Sequence, residues 1–480
     1  MNVSDLTDKT VLVMGLGRFG GGVDVARFAA GAGARVIVTD AATEEKLAAS
    51  VEQLRELPGI ELKLGGHDSD DFMRADMVVV NPAVRGDHPL LDMARQHQKT
   101  ITSQIGLFFQ RCPARIVGIT GANGKSTTAT LTAHVLQHAL SGVAASTPQA
   151  LGMVSKPRHP QAALEAAIPR VWLSGNIGNR PLLGTLAEIT ASDVVVLELS
   201  SFQLEQLAEI EMAPQISLLT NLTPNHLDRH GTFEAYCAAK ENIFRLQRCE
   251  AQEPAVSIFN AEDPVACAWY EKYRSQPGRV CVQYAADDVS EGVRAAFPLP
   301  GRANLSNLAG ALAIARQFGV QDEAVARILP DFKALPHRLE LVGTVDGVRW
   351  YNDSIATTPQ SVVVALEAFG EPKVLIAGGY DKQLPFDELG RKIAAQAKAV
   401  VLIGQTAPKI ADAIRAGTQG GNQVPITFAP SLTEAVQAAH RQATAGDVVL
   451  LSPACASYDM FDNFQQRGQQ FAKLVGQLER

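Results

Sequence analysis

Residues 115–128 read RIVGITGANGKSTT, where an apolar, strand-like run leads into a glycine-rich turn and then into a helix-forming segment. Gly121 and Gly124 allow the backbone to turn with its N–H groups facing inward, and the following helix directs its positive N-terminus to the same space. Lys125 supplies a cation for the β and γ phosphates of a nucleotide, and Ser126 a hydroxyl for Mg²⁺. The stretch therefore predicts a phosphate-binding loop for a nucleoside triphosphate at the end of a strand.

The loop departs from the strict spacing of a Walker A motif, G-x4-GK[ST], because Ile119 occupies the first glycine position and Gly118 and Gly121 flank it. A lysine and a serine after glycines also occur at ordinary helix starts, but the strand before the loop favours phosphate binding. We expect the nucleotide contacts of the loop to come from Gly121, Asn123, Gly124, Lys125, Ser126 and Thr127.

Composition and charge exclude several classes of protein. The chain has 480 residues, which at roughly 150 residues per domain predicts about three domains. A net charge of −7 from 43 basic and 50 acidic residues argues against nucleic-acid or membrane partners. Six cysteines without paired or metal-ligand spacing favour free thiols in a reduced compartment. With no cationic, apolar leader and no run near ~18 apolar residues, we expect a cytoplasmic protein.

Short apolar runs alternate with helix-like segments on both sides of the loop. The main runs are TVLVMG (10–15), RVIVTD (35–40), MVVVNP (77–82), VVVLELSS (194–201), QISLLTNL (215–222), VRWYND (348–353), KVLIAGG (373–379), AVVLIGQ (399–405) and DVVLLSP (447–453). Such runs are typical of parallel sheets covered on both faces. We therefore predict an α/β fold of three consecutive α/β domains. These are a Rossmann-like N-terminal domain (1–103), a central P-loop ATPase domain (104–335) and a Rossmann-like C-terminal domain (336–480). Fading periodicity and prolines between 141 and 170 predict a surface loop.

A second glycine-rich turn, GLGRFG at 15–20, follows the first strand, and Asp40 ends the next strand. Taken alone, this pattern predicts a nicotinamide cofactor. The backbone amides of such a turn bind the diphosphate, so another nucleoside diphosphate would fit equally well. The phosphate-binding loop downstream favours that second interpretation, and a purely structural turn is the third.

Two polar groups follow apolar runs in the central block. Glu198 ends VVVLE, and His226 lies with Asp228 in NLTPNHLDRHGT (221–232). The carboxyl ends of parallel strands meet at the ligand-binding edge of a sheet, where Glu198 would be placed to coordinate Mg²⁺. Taken singly, Glu198 is compatible with a solvated loop residue and His226 with a hydrogen-bonded bystander.

The order of motifs along nearly the whole chain resembles the Mur ligases, ATP-dependent enzymes that form the amide bonds of the peptidoglycan stem peptide. The motifs that carry the resemblance are GITGANGKSTT (118–128), GNIG (175–178), NHLDRHGT (225–232), GRANLSNLAGALA (301–313), LPHRLE (335–340), YNDSIATTP (351–359) and SPACASYDMFDNFQQRG (452–468). ELSSFQLE (198–205) and SPACASYDMF are most similar to the members that add D-glutamate to UDP-N-acetylmuramoyl-L-alanine. The resemblance thus implies these two substrates, ATP and Mg²⁺, and we expect a monomer.

The resemblance also implies catalytic and metal-binding residues. Lys125, Glu198, His226 and Lys240 match catalytic positions, and Ser126, Glu198, His226 and Lys240 match the metal site. Lys240 matches a lysine that the family carbamylates, which turns a cation into an anionic ligand. Carbamylation requires the neutral amine, so we expect a lowered pKa for Lys240. Without the resemblance, an ordinary surface lysine would be the simpler interpretation.

Three further sets of residues match substrate-binding positions of the family. The ATP set comprises Asn307, Arg338 and Asp353, and the fixed guanidinium of Arg338 suits a phosphate. The set for the UDP-linked substrate comprises Gly15, Gly17, Gly20, Asp40, Asn81 and Asn176. The amino-acid set comprises Thr357, Lys382, Ser457, Tyr458 and Phe464. Lys382 suits this role because its positive charge would bind a carboxylate of a dicarboxylic substrate.

Some positions depart from the family pattern. Ile355 stands where a lysine is usual, Tyr380 where an acidic residue can occur and Tyr458 where a leucine is usual, while Arg18 and Phe19 fill the diphosphate turn. These departures leave a related ligase for another amino acid, such as L-glutamate, as an alternative. A folylpolyglutamate synthetase lacks the first domain, a dehydrogenase would use only the GLGRFG turn, and a nonenzymatic ATP switch would not need the metal-binding set.

Overall fold

The computed structural model describes residues 6–144, 168–177, 182–418 and 423–478. Most of the loop predicted between 141 and 170 lies outside these residues, as does the last glycine of GNIG. In the described part of the chain, no helix is both long and apolar enough to span a membrane.

The chain divides into two compact units. The first comprises Met1–Asp288 and Asn307–Val325, and the second comprises Val289–Ser306 and Ala326–Arg480. The chain passes from one unit to the other three times between residues 288 and 326. The helices in and around this stretch are α11 (Glu291–Ala296), α12 (Arg302–Arg316) and α13 (Asp322–Ile328). Each unit is described by itself below.

The first sheet of the first unit is parallel throughout, with the strand order β3-β2-β1-β4-β5. Its strands are β1 (Thr10–Met14), β2 (Arg35–Asp40), β3 (Ile60–Leu64), β4 (Met77–Val80) and β5 (Thr100–Ser103). Its helices are α1 (Gly21–Gly31), α2 (Glu44–Glu52), α3 (Ser69–Arg74), α4 (Pro89–Gln96) and α5 (Gln104–Arg111). Leu12 of the central strand pairs with Ile37 on one side and Val78 on the other. Because helices cover both faces, the central strands are continuously apolar.

The second sheet of the first unit is also parallel, in the order β11-β10-β9-β6-β8-β7. Its strands are β6 (Arg115–Thr120), β7 (Val171–Gly175), β8 (Val194–Glu198), β9 (Ile216–Leu219), β10 (Ala255–Asn260) and β11 (Arg279–Tyr284). Its helices are α6 (Lys125–Ala144), α7 (Ser201–Ala208), α8 (Leu227–His230), α9 (Phe233–Arg245) and α10 (Pro264–Tyr273). β6 lies between β8 and β9, so the carboxyl ends of these strands meet at one edge.

The sheet of the second unit is mixed, in the order β12-β13-β17-β14-β15-β16. Its strands are β12 (Glu340–Val345), β13 (Val348–Asn352), β14 (Lys373–Gly378), β15 (Ala397–Ile403), β16 (Ile426–Phe428) and β17 (Val448–Leu451). Its helices are α14 (Pro359–Glu367), α15 (Asp387–Gln396), α16 (Ala407–Gly417), α17 (Leu432–Gln442) and α18 (Phe464–Leu478). β12 is antiparallel to β13, and the other pairs are parallel.

The predicted α/β class with three successive domains is confirmed, with one unpredicted antiparallel hairpin. Asp346 and Gly347, with φ of 51° and 75°, form the two-residue turn between β12 and β13. An Asp-Gly pair suits such a turn because both residues need positive φ. The three domain boundaries predicted from the sequence stay a prediction.

Candidate active site

The phosphate-binding loop lies between β6 and α6, and it requires glycine at two positions. Gly121 and Gly124 have φ of 142° and 81°. A Cβ atom on Gly121 would lie 2.0 Å from Thr220 Oγ1, and one on Gly124 would lie 2.2 Å from Asn307 Oδ1. Any side chain at either position would therefore displace the residues that pack against the loop.

Residues just after β9 hold the tip of this loop, a role that the sequence motifs did not predict. Asn221 Oδ1 accepts from the Asn123 amide at 3.0 Å, and its Nδ2 donates to the Asn123 carbonyl at 3.1 Å. Thr220 Oγ1 donates to the same carbonyl at 2.6 Å. Both the N–H and the carbonyl group of Asn123 are thus hydrogen-bonded by these two residues. The signal available in the sequence was the polar pair that directly follows the apolar run of β9.

Three of the predicted site residues meet at the buried carboxylate of Glu198. Ser126 Oγ donates to Glu198 Oε2 at 2.6 Å, and Asn176 Nδ2 donates to Oε1 at 3.1 Å. Glu198 is only 2% exposed, at the end of β8. Asn176, which was assigned to the UDP-linked substrate, therefore contacts the carboxylate assigned to the metal.

This arrangement fits Mg²⁺. Within the described residues, no group of three or more His, Cys, Asp or Glu side chains could hold a metal ion by itself. Mg²⁺ does not need such a cage, because it keeps several waters and binds through one or two carboxylates and substrate phosphates. A hydroxyl and a carboxylate oxygen beside a phosphate-binding loop are suitable ligands for it.

Lys240 lies on α9 and is buried, with 2% of its surface exposed. Its Nζ donates to Thr120 Oγ1, at the end of β6, at 2.9 Å. Burial lowers the pKa of Lys240 well below its ordinary value, and the charge of Lys125 acts in the same direction, whereas Glu198 opposes them. The interpretation of Lys240 as an ordinary surface lysine is therefore wrong. Carbamylation of the amine stays a prediction.

His226 caps the start of α8 in a left-handed conformation, with φ of 52°. Its ring centroid is 5.2 Å from that of Phe202. Desolvation lowers the pKa of His226, and the charge of Lys240 and, to a smaller extent, that of Lys125 add to this effect. A neutral imidazole is the form that binds metals. The electrostatic interactions also place His226 near both lysines of the predicted site.

The remaining loop residues have different environments. Thr127 is buried, with 3% exposure, whereas Asn123 is exposed. Asn307 lies beside the loop, where Thr128 Oγ1 donates to its Oδ1 at 3.3 Å. Lys125 Nζ donates to the Ala122 carbonyl at 2.9 Å. The loop thus brings together the residues predicted for ATP in the first unit.

In the N-terminal domain, two predicted residues shape the GLGRFG turn. Asp40 Oδ2 accepts from the Gly17 amide at 3.0 Å, and Asn81 Nδ2 donates to the Gly15 carbonyl at 3.1 Å. A Cβ atom on Gly15 would lie 2.7 Å from Asn81 Cβ. Gly20, with φ of 83°, precedes α1, so the turn leads directly into a helix N-terminus. Such a terminus can hold a diphosphate.

Two other predicted ATP-binding residues lie in the second unit. Asp353 Oδ2 accepts from Ser452 Oγ at 2.7 Å, and Oδ1 accepts from the Leu339 amide at 3.3 Å. Burial raises the pKa of Asp353 to about 7, although these hydrogen bonds and the charge of Arg338 oppose the rise. Within the described residues, the buried Nε of Arg338 has no hydrogen-bond partner.

The residues predicted for the amino acid follow adjacent strands of the second unit. Thr357 follows β13, Lys382 follows β14, Ser457 and Tyr458 follow β17, and Phe464 begins α18. Parallel strands end at the same edge of a sheet, so these loops share one edge. Ser457 is buried, whereas Tyr458 is 68% exposed and Lys382 is exposed.

Cys455, in the same segment as Ser457, is buried, and burial raises the pKa of its thiol to about 11. A buried thiol with a raised pKa is a small core residue and not a nucleophile.

Sequence models of three domains match the chain. They are described as "Mur ligase MurD-like, N-terminal domain" over residues 9–103, "Mur ligase middle domain" over 119–315 and "Mur ligase, glutamate ligase domain" over 337–455.

The chain is similar over its whole length to proteins named UDP-N-acetylmuramoylalanine--D-glutamate ligase. The one from Roseiflexus sp. (strain RS-1) is 41% identical, with 98% of this chain and 99% of the relative covered. That from Pelotomaculum thermopropionicum is 36% identical, with 100% of both covered.

Two solved structures share the fold. UDP-N-acetylmuramate-alanine ligase MurC from Thermotoga maritima has a TM-score of 0.52 at 20% identity, covering 98% of this chain and 99% of that one. MurF from Acinetobacter baumannii has a TM-score of 0.54 at 14% identity, covering 100% and 92%.

Proposed function

The chain belongs to the Mur ligase family, and from this we propose that it adds D-glutamate to UDP-N-acetylmuramoyl-L-alanine at the expense of ATP, in peptidoglycan precursor synthesis. The observation that carries the proposal is the full-length similarity, at 36–41% identity, to relatives named for that reaction. The contacts of Ser126 and Asn176 with the buried carboxylate of Glu198, beside the phosphate-binding loop, support it.

The proposed reaction has two steps. The carboxylate of UDP-N-acetylmuramoyl-L-alanine attacks the γ phosphorus of ATP, and the bond to the β-γ bridging oxygen breaks, which yields an acyl phosphate and ADP. The amine of D-glutamate then attacks the acyl carbon, phosphate leaves, and the amine loses a proton as the amide forms. Holding the reactants together can supply up to ~7–11 kcal/mol of the barrier.

In the first step, the loop amides and Lys125 bind the phosphates of ATP and orient the γ phosphorus. Ser126 and Glu198, with His226, would hold Mg²⁺, which neutralises charge on the transferring phosphoryl group when bound. Lys240 supports the same site: carbon dioxide would add to its neutral amine with loss of one proton, and the resulting carbamate would bear a negative charge.

Binding of the other substrates is assigned to both units. The GLGRFG turn, with Asp40 and Asn81 behind it, would bind the uridine diphosphate group at the start of α1. Thr357, Lys382, Ser457, Tyr458 and Phe464 would bind the amino acid, and Arg338 and Asp353 would contact ATP. A monomeric state and a cytoplasmic location stay predictions.

The test measures phosphate release with ATP, Mg²⁺ and UDP-N-acetylmuramoyl-L-alanine, while the amino acid is varied. We expect release to require D-glutamate, with little or none from L-glutamate. Preference for L-glutamate would establish the related ligase that the substitutions at Ile355 and Tyr380 leave open. Release that ignores the amino acid would refute a ligase. In parallel, UDP and not NADH should raise the melting temperature, since a ligand that binds the folded state stabilises it.

A further inference from the structure

Arg467, near the start of α18, is fully buried, with 1% of its surface exposed. Its guanidinium donates to Oγ and the carbonyl of Ser354 at 3.0 and 2.8 Å. It also donates to the carbonyls of Cys455 and Ala456 at 3.1 and 3.4 Å. Ser354 follows β13, and the other two residues follow β17. One side chain therefore ties two loops at the edge of the sheet to a helix.

The other segments of the proposed amino-acid pocket pack against the same group. Gly379, after β14, lies so close that a Cβ atom there would be 3.3 Å from Arg467 Nη1 and 2.4 Å from the Ala456 carbonyl oxygen. Ser354 Oγ donates to the Phe464 carbonyl at 2.8 Å. Every segment that carries a residue proposed for the amino acid thus contacts Arg467 or one of its acceptors.

Among the described residues, no carboxylate hydrogen-bonds to Arg467, although the charge of Asp459 lies close enough to act on it. Its hydrogen-bond acceptors are three carbonyl groups and a hydroxyl, all neutral. Burial lowers the pKa of Arg467 to about 10, so it remains protonated at neutral pH. A buried cation that no carboxylate pairs with directly is unfavourable, so further negative charge nearby would stabilise it.

A dicarboxylic amino acid would bring further negative charge close to this buried cation. Carbonyls that accept from a cation are polarised, which strengthens the N–H of the same peptide group as a donor. The carbonyl of Ala456 is such an acceptor, and Ser457, proposed to bind the amino acid, carries the amide of that peptide. The guanidinium therefore affects the pocket in two ways: through its electrostatic potential and through the peptide groups whose carbonyls it binds.

We propose that Arg467 is a positioning residue that holds the loops of the amino-acid pocket together and provides the positive charge that balances the carboxylates of D-glutamate. This inference rests on the proposed function, because it requires the amino-acid pocket to lie at this edge of the sheet. It assigns no direct contact between the guanidinium and the substrate.

The test compares Arg467→Lys, which keeps the charge but loses the planar fork, with Arg467→Met, which loses both. We expect the KM for D-glutamate to rise about threefold in R467K and at least about tenfold in R467M. The KM values for ATP and for UDP-N-acetylmuramoyl-L-alanine should change by less than about twofold. This difference between the three KM values is not expected of a purely structural role.

Arg279→Lys is the matched control. Arg279 is also buried, with 8% exposure, and donates to neutral groups of Gln247, Ser257 and Phe244 in the first unit, outside every proposed site. We expect R279K to lower the melting temperature without changing the KM for D-glutamate.

An R467K enzyme whose three KM values are unchanged, or rise together, would overturn the proposal, even if R467M does not fold. Equal effects of R467K and R467M would overturn the role of the charge. Wild-type protein without D-glutamate-dependent phosphate release would refute the proposed function itself, and Arg467 would then have no such role.

Discussion

Asp24 connects two domains of the first unit through one carboxylate, and its replacement is the most direct test of that connection. It lies in the first turn of α1 and is 7% exposed. Oδ2 accepts from the amides of Leu182 and Leu183 at 3.0 and 2.8 Å and from Gln104 Nε2 at 2.6 Å, and Oδ1 accepts from the Gly184 amide at 3.1 Å. The helix of the GLGRFG turn is thus bound to a segment of the central domain.

Asp24→Ala leaves three backbone N–H groups without their acceptor. Each buried donor that is left unsatisfied costs about 1–3 kcal/mol, and bonds that share one carboxylate are not additive. Water that enters the site offsets part of this loss, so we expect destabilisation of about 3–5 kcal/mol. At about 2–4 °C per kcal/mol, the apparent melting temperature should fall by roughly 6–20 °C. Asp24→Asn keeps the shape and one acceptor oxygen, and should cause about half that fall.

The assay is thermal unfolding followed by circular dichroism, reported as an apparent melting temperature because a protein of several domains need not unfold in two states. Asp87→Ala is the control, because the Asp87 side chain is 69% exposed and pairs with Arg85 at 3.1 Å on the surface. It should change the melting temperature by less than about 2 °C. A fall in D24A no larger than that in D87A would show that the four hydrogen bonds do not connect the domains as described.

Three further predictions concern the proposed site. Lys240→Ala should lower kcat for phosphate release about 100-fold or more without unfolding the protein, and normal turnover would exclude its metal-site role. Gly124→Ala should raise the KM for ATP at least about tenfold, because its Cβ would meet Asn307; Gly446→Ala, also at positive φ but with nothing within 4 Å, is the control and should leave that KM unchanged. Asp353 has a pKa of about 7, raised from 3.8, so the folded state binds its proton more tightly than the unfolded state and its contribution to stability is lost as pH rises from about 4 to about 7. The free energy of unfolding, measured in urea at several pH values, should show this loss in the wild type and not in D353N. Parallel curves of that free energy against pH for the two proteins would contradict the prediction.

The fold was largely predictable because strands that are buried on both faces have continuously apolar sequences. β1, β8 and β17 are such strands, and their runs identified the parallel sheets. β3, with the sequence IELKL, was not predicted, because a partly exposed edge strand admits charged residues. The β12–β13 hairpin was also missed, although Asp346 and Gly347 form a recognisable turn pair. Apolar runs are therefore less informative for edge strands, because these strands are partly exposed and burial does not determine their composition.

The chemistry of the site was predictable where a strand end fixes the position of the next residue. Glu198 and the glycines of the phosphate-binding loop are of this kind. The supporting contacts were not, since Asn221 reaches Asn123 and Asp24 reaches Leu183 across long separations in the sequence. Hydrogen bonds between distant segments depend on how domains and loops pack, which a local pattern does not encode.

The environment of Lys240 follows from the spacing of apolar residues on its own helix. On a helix, residues three and four positions apart share a face. Tyr236, Ile243 and Phe244 stand at those distances from Lys240, and all three are buried. Where a lysine in such a stripe is buried, its neutral form is favoured, because an isolated ammonium is costly to bury. The helical spacing, together with the burial that the structure shows, accounts for the lowered pKa of Lys240, and the neutral amine is the chemical form that reacts with carbon dioxide.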